Sequence, residues 1–203
     1  AKYTWIFRTN ERGYIFLADN YLVTGSDGLV KDISGMYTLP LGTITLQETK
    51  APEGYLLNDT VYVAQTVLDS GNNTVRTTNL PTDDNAAQET PYEGTISIQK
   101  FLGGSTVKTS EPDAEFEIYL TSAGSYDAAP EESRQTITTD ANGYAITKRL
   151  PYGTYTVHQT KGNNKYYFVD DMEITISENN ANYHKILEDS PIEFYIKMVK
   201  KDT

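Results

Sequence analysis

Hydrophobic and polar positions alternate along nearly the whole chain. Runs such as "TWIFRT", "GYIFL", "TITLQE", "VYVAQTV", "TISIQK", "AEFEIYL", "TYTVHQ", "MEITIS" and "IEFYIKMV" carry β-branched or aromatic residues at every second position, separated by Gly, Pro, Asn and Asp. A period of two marks a strand with one face in a core, and no stretch shows a convincing helical period. The pattern predicts an all-β protein, and many short strands between turn residues predict sandwiches. Residues 81–94, "PTDDNAAQETPYEG", contain two prolines and little to bury, so they read as a linker plus a turn. The expected organisation is two tandem immunoglobulin-like or prealbumin-like β-sandwich domains, 1–81 and 95–191, joined by a linker over 82–94. A chain of 203 residues is long enough for two cores of about 100 residues each.

The two halves resemble each other. "RTNERGYIF" (8–16) parallels "TTDANGYAI" (138–146), "TLPLGTITLQETK" (38–50) parallels "RLPYGTYTVHQTK" (149–161), and "TTNLP" (77–81) parallels "LEDSP" (187–191). In this register the first copy carries an inserted loop or small hairpin near 18–37. "TISIQK" (95–100) opens the second copy, nothing like it precedes the first, and its other match, "YIKMVK", is residues 195–200. The chain therefore reads as a first repeat lacking its opening strand, a complete second repeat, and a segment 192–203. That last segment is either the opening strand of a following repeat, the simpler reading, or a strand donated in trans to another copy.

Strand parity picks out a few polar residues at the ends of apolar stripes. Side chains two apart share a strand face, so Ile44, Leu46 and Glu48 point one way, and so do Val75, Thr77 and Asn79. Lys100 continues the face of Ile96 and Ile98, and Lys200 that of Ile196 and Met198. A lysine in such a place is either a solvated guard on an edge strand or a buried functional group.

Composition narrows the function. The net charge of −11 argues against binding nucleic acid or an anionic membrane surface, and no apolar run approaches the roughly 18 residues that cross a bilayer. Residues 1–13 lack the layout of a signal peptide. With no cysteine there are no disulfides or thiolate metal sites, and the two histidines, His158 and His184, form no metal or catalytic spacing. No cofactor and no metal are expected, nor an enzyme in the usual sense. "DSGNN" and "DANG" read as hairpin turns, not calcium loops.

The segment "GTITLQETKAPEGY" (42–55) resembles the E-box of the B-type repeat domains, CnaB-like, of Gram-positive collagen adhesins and SpaA-type pilins. The resemblance runs over most of residues 1–200. It implies prealbumin-like or immunoglobulin-like sandwiches, in which a lysine on the opening strand and an asparagine on the closing strand can join in a spontaneous isopeptide bond assisted by the E-box glutamate. Burial disfavours charge, so a desolvated amine and acid can meet in neutral form. The amine is then a nucleophile, and the acid polarises the acyl group and carries a proton to the leaving group.

Carried onto this sequence, the resemblance assigns Glu48 as proton shuttle and Asn79 as acceptor in the first copy, where the partner lysine is missing. In the second copy Lys100 is present, the acceptor position holds Asp189, and the E-box position holds Gln159. Gln159 cannot donate and recover a proton as an acid does, so the second domain is expected to lack the bond. Glu115 and Glu117 alternate with inward residues and are expected to face solvent. Lys200 is the remaining candidate amine.

The resemblance points to a structural stalk or pilin module of a cell-wall-anchored, extracellular surface protein, with neighbouring repeats or subunits as partners. The alternative is an adhesin module that binds a host extracellular protein through exposed loops. No sorting motif of the form "LPxTG" occurs within the sequence.

Overall fold

The computed structural model describes residues 2–69, 71 and 74–200. The chain is all-β apart from short 3-10 turns, and it divides into two compact units. The first comprises 1–49 and 58–88. The second comprises 50–57 and 89–203, so "KAPEGYLL" of the E-box segment belongs to the second unit. No helix among the described residues is long and apolar enough to cross a membrane.

The first unit contains β1 (Gly42–Leu46) and, after the excursion that carries β2 (Tyr55–Leu56), β3 (Tyr62–Asp69) and β4 (Thr74–Thr78). They form an antiparallel sheet in the order β1-β3-β4. Residues 2–41 contribute no strand, only two isolated bridges, Phe7 with Leu22 and Lys31 with Tyr37. Their alternation gives each segment an apolar face, but a strand also needs a neighbour in register, and Ile6, Tyr14, Ile15 and Phe16 stay exposed.

Segment 18–37, expected as an insertion, has internal structure of its own. Asp32 accepts the backbone N–H groups of Ser34 and Met36, and Gly35 takes positive φ. The same turn recurs at Asn10, which accepts from Arg12 and Tyr14, and at Asp140, which accepts from Asn142 and Tyr144. A short polar side chain that satisfies two backbone donors, followed by a residue free to enter the left-handed region, explains why one motif makes one turn three times. The turn at 32–36 runs into Leu39-Pro40 as the turn at 140–144 runs into Leu150-Pro151.

The second unit adds β5 (Thr90–Pro91), β6 (Glu93–Leu102), β7 (Thr109–Ser110), β8 (Glu115–Leu120), β9 (Arg134–Thr138), β10 (Tyr144–Ile146), β11 (Leu150–Pro151), β12 (Gly153–Lys161), β13 (Tyr166–Tyr167), β14 (Met172–Ile176) and β15 (Asn182–Pro191). β5 and the start of β6 occupy part of the expected linker over 82–94. One sheet runs β10-β6-β15-β13, with β7 and β11 also on β6, and the other runs β14-β12-β8-β9. Ile96 and Ile98 of the first sheet meet Phe116, Ile118, Tyr155, Val157 and Ile176 of the second in one core. Each strand supplies every second residue, as the sequence pattern requires. The first and last strands, β6 and β15, are parallel neighbours, with Lys100 opposite Leu187 and Leu102 opposite Asp189.

Candidate functional site

The inward stripe of β6 ends on Lys100, that of β15 (Leu187, Asp189) on Asp189, and that of β12 (Tyr155, Val157, Gln159) on Gln159. These three ends converge at one end of the core. Lys100 Nζ lies 2.6 Å from Asp189 Oδ1, with both side chains sealed from solvent. Gln159 Nε2 donates to Asp189 Oδ2 at 3.0 Å. Parity puts Lys100 on the face of Ile96 and Ile98, and the likeness of the two copies points to Gln159 and Asp189; the sandwich brings the three together.

A fourth residue completes the cluster, and it is one that sequence reasoning missed. Glu111 follows β7, is buried, and sets Oε2 3.1 Å from Lys100 Nζ. Its other oxygen, Oε1, accepts the Asn163 N–H at 2.6 Å, which fixes the carboxyl group, while Oε2 has no hydrogen-bond partner among the described residues and faces the amine as an ion pair. Glu111 gets there by backbone pairing: its N–H donates to the Lys100 carbonyl, and the Lys100 N–H donates to the Gly143 carbonyl. Gly143 sits at φ 73°, and a Cβ there would fall 2.4 Å from the Lys100 carbonyl oxygen. The "DANG" turn thus needs its glycine both for its own shape and to let β6 approach. Glu111 begins "EPDAEF", with a proline beside it and no apolar stripe. The one available signal was that a buried lysine needs compensating acid, with no indication of which one.

The expectation that the second unit lacks the bond rested on Gln159 at the E-box position and on Glu115 and Glu117 facing solvent. The structure supplies a carboxyl group from Glu111 instead, on the amine side of the cluster. Glu115 and Glu117 are only half-buried, and Glu115 accepts from the Thr160 hydroxyl.

Within the first unit, Glu48 and Asn79 share no hydrogen bond among the described residues. Glu48 is half-buried just past β1, and its carboxylate accepts the Asn58 N–H at 2.7 Å. Asn79 lies exposed past the end of β4 in left-handed conformation, φ 65°, and Val75 and Thr77 on the same stripe are exposed as well. Lys200 is exposed in a segment, 192–200, that forms no strand. His158 bonds Asp171 at the surface.

What the cluster can do follows from its members. A buried amine sits in contact with a carboxyl carbon's oxygen, a second carboxyl group lies against that amine, and an amide donor with a backbone N–H (Val169, 3.2 Å from Asp189 Oδ1) holds the acyl group in place. Those are the parts for condensing an amine with an acid.

A comparison with curated proteins finds no match. Among solved structures, the TIE protein of Bacillus anthracis is similar, at 23% identity and a TM-score of 0.50 over 86% of this chain. The chain spans 30% of the length of that protein. The minor pilin GBS52 of Streptococcus agalactiae is 13% identical over 82% of this chain and 90% of its own, with a TM-score of 0.44. The shaft pilin SpaA of Lactobacillus rhamnosus GG is 18% identical over 49% of this chain and 50% of its own, with a TM-score of 0.41. The family model described as the SpaA prealbumin-like fold domain matches twice, at residues 6–81 and 94–191. Two matches that between them take in most of the sequence, on a chain whose second unit closes first and last strands side by side, establish that the protein belongs to the SpaA prealbumin-like fold domain family.

Proposed function

We propose that the chain is a structural stalk module of a Gram-positive cell-surface or pilus protein, and that its second unit is braced by an amide between Lys100 and Asp189. The observation that carries this reading is the buried trio of Lys100, Asp189 and Glu111 joining the first and last strands, with Nζ 2.6 Å and 3.1 Å from the two carboxyl groups.

The reaction is a condensation. The ammonium of Lys100 gives up a proton to Glu111 Oε2, and the free amine attacks Asp189 Cγ. The bond from Cγ to Oδ1 then breaks, and that oxygen leaves as water. Water takes two of the three ammonium protons, one of them relayed by Glu111, which ends as it began. The product needs no thiol chemistry and turns over once.

The mechanical consequence follows from the topology. Tension entering β6 at Glu93 and leaving β15 at Pro191 would pass from Lys100 to Asp189 through the amide, and the chain between them would carry none of it. Neighbouring repeats or subunits of the same surface protein are the expected partners, on the outside of the cell.

Intact mass spectrometry tests the reading. The chain should be lighter than its sequence by one water, digestion should yield a branched peptide joining Lys100 to Asp189, and Lys100→Ala should restore the full mass. A wild-type chain at full mass sinks the proposal. A second reading, an adhesin that binds a host extracellular protein, is favoured by segment 18–37, where Ile33 and Met36 stand fully or largely exposed. It requires saturable binding that disappears when 18–37 is removed.

A further inference from the structure

The hydrogen bonds around Asp189 leave no place for an amide nitrogen. Oδ1 receives the Lys100 ammonium at 2.6 Å and the Val169 N–H at 3.2 Å, and Oδ2 receives Gln159 Nε2 at 3.0 Å. All of these are donors. The orientation of the Gln159 amide is itself fixed: Nε2 points at two acceptors, Asp189 Oδ2 and the Lys161 carbonyl, while Oε1 accepts the Val169 N–H at 3.3 Å. A flip would set oxygen against two oxygens and an NH₂ against an N–H. The amide is also pinned from behind, since a Cβ on Gly162 would stand 2.6 Å from Nε2.

We propose that Gln159, at the E-box position, determines which acyl group the site accepts: it selects a carboxyl at 189 over a carboxamide, and so makes the leaving group water where the first repeat's residues would release ammonia. This deepens the cross-linking reading and rests on it. An asparagine at 189 would place its NH₂ against Gln159 Nε2 in one orientation, and against Lys100 Nζ and the Val169 N–H in the other. Either way two buried donors face each other and one carbonyl lone pair is lost. The aligned pair in the first repeat, Glu48 with Asn79, is the reciprocal set, with the acid on the E-box strand and the amide on the closing strand. Amide and acid have exchanged places between the copies, so Gln159 and Asp189 are a matched pair and not two separate losses.

The same contact acts during the reaction. As Lys100 Nζ bonds to Cγ, negative charge gathers on Oδ2, where Gln159 Nε2 donates, and it flows back into the carbonyl as Oδ1 departs. In the product that oxygen is the amide carbonyl and keeps the same donor. Removal of a comparable donor from an oxyanion site slows acyl transfer by about a hundredfold.

Four full-length chains test this as a double-mutant cycle: wild type, Asp189→Asn, Gln159→Glu, and the two together. Each is made by cell-free synthesis, sampled over time and weighed intact, with folding followed by circular dichroism. Wild type should lose one water. Asp189→Asn should cross-link about a hundredfold more slowly. The double variant should recover at least about tenfold of that loss and release ammonia in place of water. Gln159→Ala, which removes only the donor, reads the rate if Asp189→Asn fails to fold, and should slow water loss at least about tenfold. Asp189→Asn losing ammonia as fast as wild type loses water overturns the inference, as does an unchanged rate in Gln159→Ala. In both cases the cross-linking reading survives. A wild-type chain at full mass overturns both.

Discussion

Replacing Glu111 by Gln tests the proton path with the least disturbance of the core. The two side chains have nearly the same volume, and a glutamine oxygen can still accept the Asn163 N–H that Oε1 accepts now. What changes is the group facing Lys100 Nζ at 3.1 Å, from an acid that can take and return a proton to an NH₂ that cannot. Loss of a positioned acid or base slows a reaction by about 10²–10⁴-fold, so the variant should fold and remain at its full mass over the time in which wild type loses water. Two energies separate the variant from the cross-linked protein. Closing a loop of about 100 residues in the unfolded chain is worth about 4–5 kcal/mol on the cross-link entropy scale. An NH₂ set against the ammonium adds about 1–3 kcal/mol. Together they amount to about 5–8 kcal/mol, and at about 4 °C per kcal/mol for a unit of this size the melting point of the second unit should fall by about 20–30 °C. Calorimetry gives the shift and intact mass gives the chemistry on the same sample. If Glu111→Gln still loses one water at the wild-type rate, Glu111 is not the proton carrier and the mechanism is refuted. A melting point within a few degrees of wild type, with the bond absent, would refute the loop-entropy argument and leave the chemistry standing.

Gly162→Ala should slow water loss and cost about 1–3 kcal/mol, since the new methyl would stand 2.6 Å from Gln159 Nε2 and 3.0 Å from Glu111 Oε1; chemical denaturation measures the cost, and a neutral result would mean the loop yields freely. Burial pushes the Tyr155 hydroxyl, which donates to the Pro151 carbonyl, up to about 12. The unfolded chain then sheds that proton first, so the contribution is complete below pH 10 and is lost as pH rises towards 12, about 2–3 kcal/mol in all. Tyr155→Phe should flatten that part of the stability profile, and an equally steep fall in the variant would assign it to other tyrosines. Lys200 is exposed while Glu48 already accepts the Asn58 N–H, so denaturing gels should show a monomer; a ladder whose rungs each lack one ammonia would show strand donation between copies.

The likeness of the two copies pointed to Gln159 and Asp189, while alternation along the sequence determined the class of structure, the inward face of β6, and therefore the inward placement of Lys100. That face and that placement are properties of side chains two apart on one strand, and nothing beyond the strand is needed to read them. The recurring turns at Asn10, Asp32 and Asp140 are equally local, each built from one polar side chain and the backbone within four residues of it. The same reading over-reached in residues 2–41, where alternation was present but a pairing strand was not, because a ladder is a relation between two segments and periodicity describes only one. It also put Asn79 on an inward face that the sheet β1-β3-β4 leaves open, since parity says which side chains share a face and not whether anything covers it. Glu111 was beyond its reach for a related reason. That residue lies in a proline-interrupted turn, and it becomes part of the site only because its backbone pairs with Lys100, which in turn pairs with Gly143. A carboxyl group 11 positions along the chain from the amine it serves is brought there by three segments packing at once, and such convergence is decided by the folded sandwich.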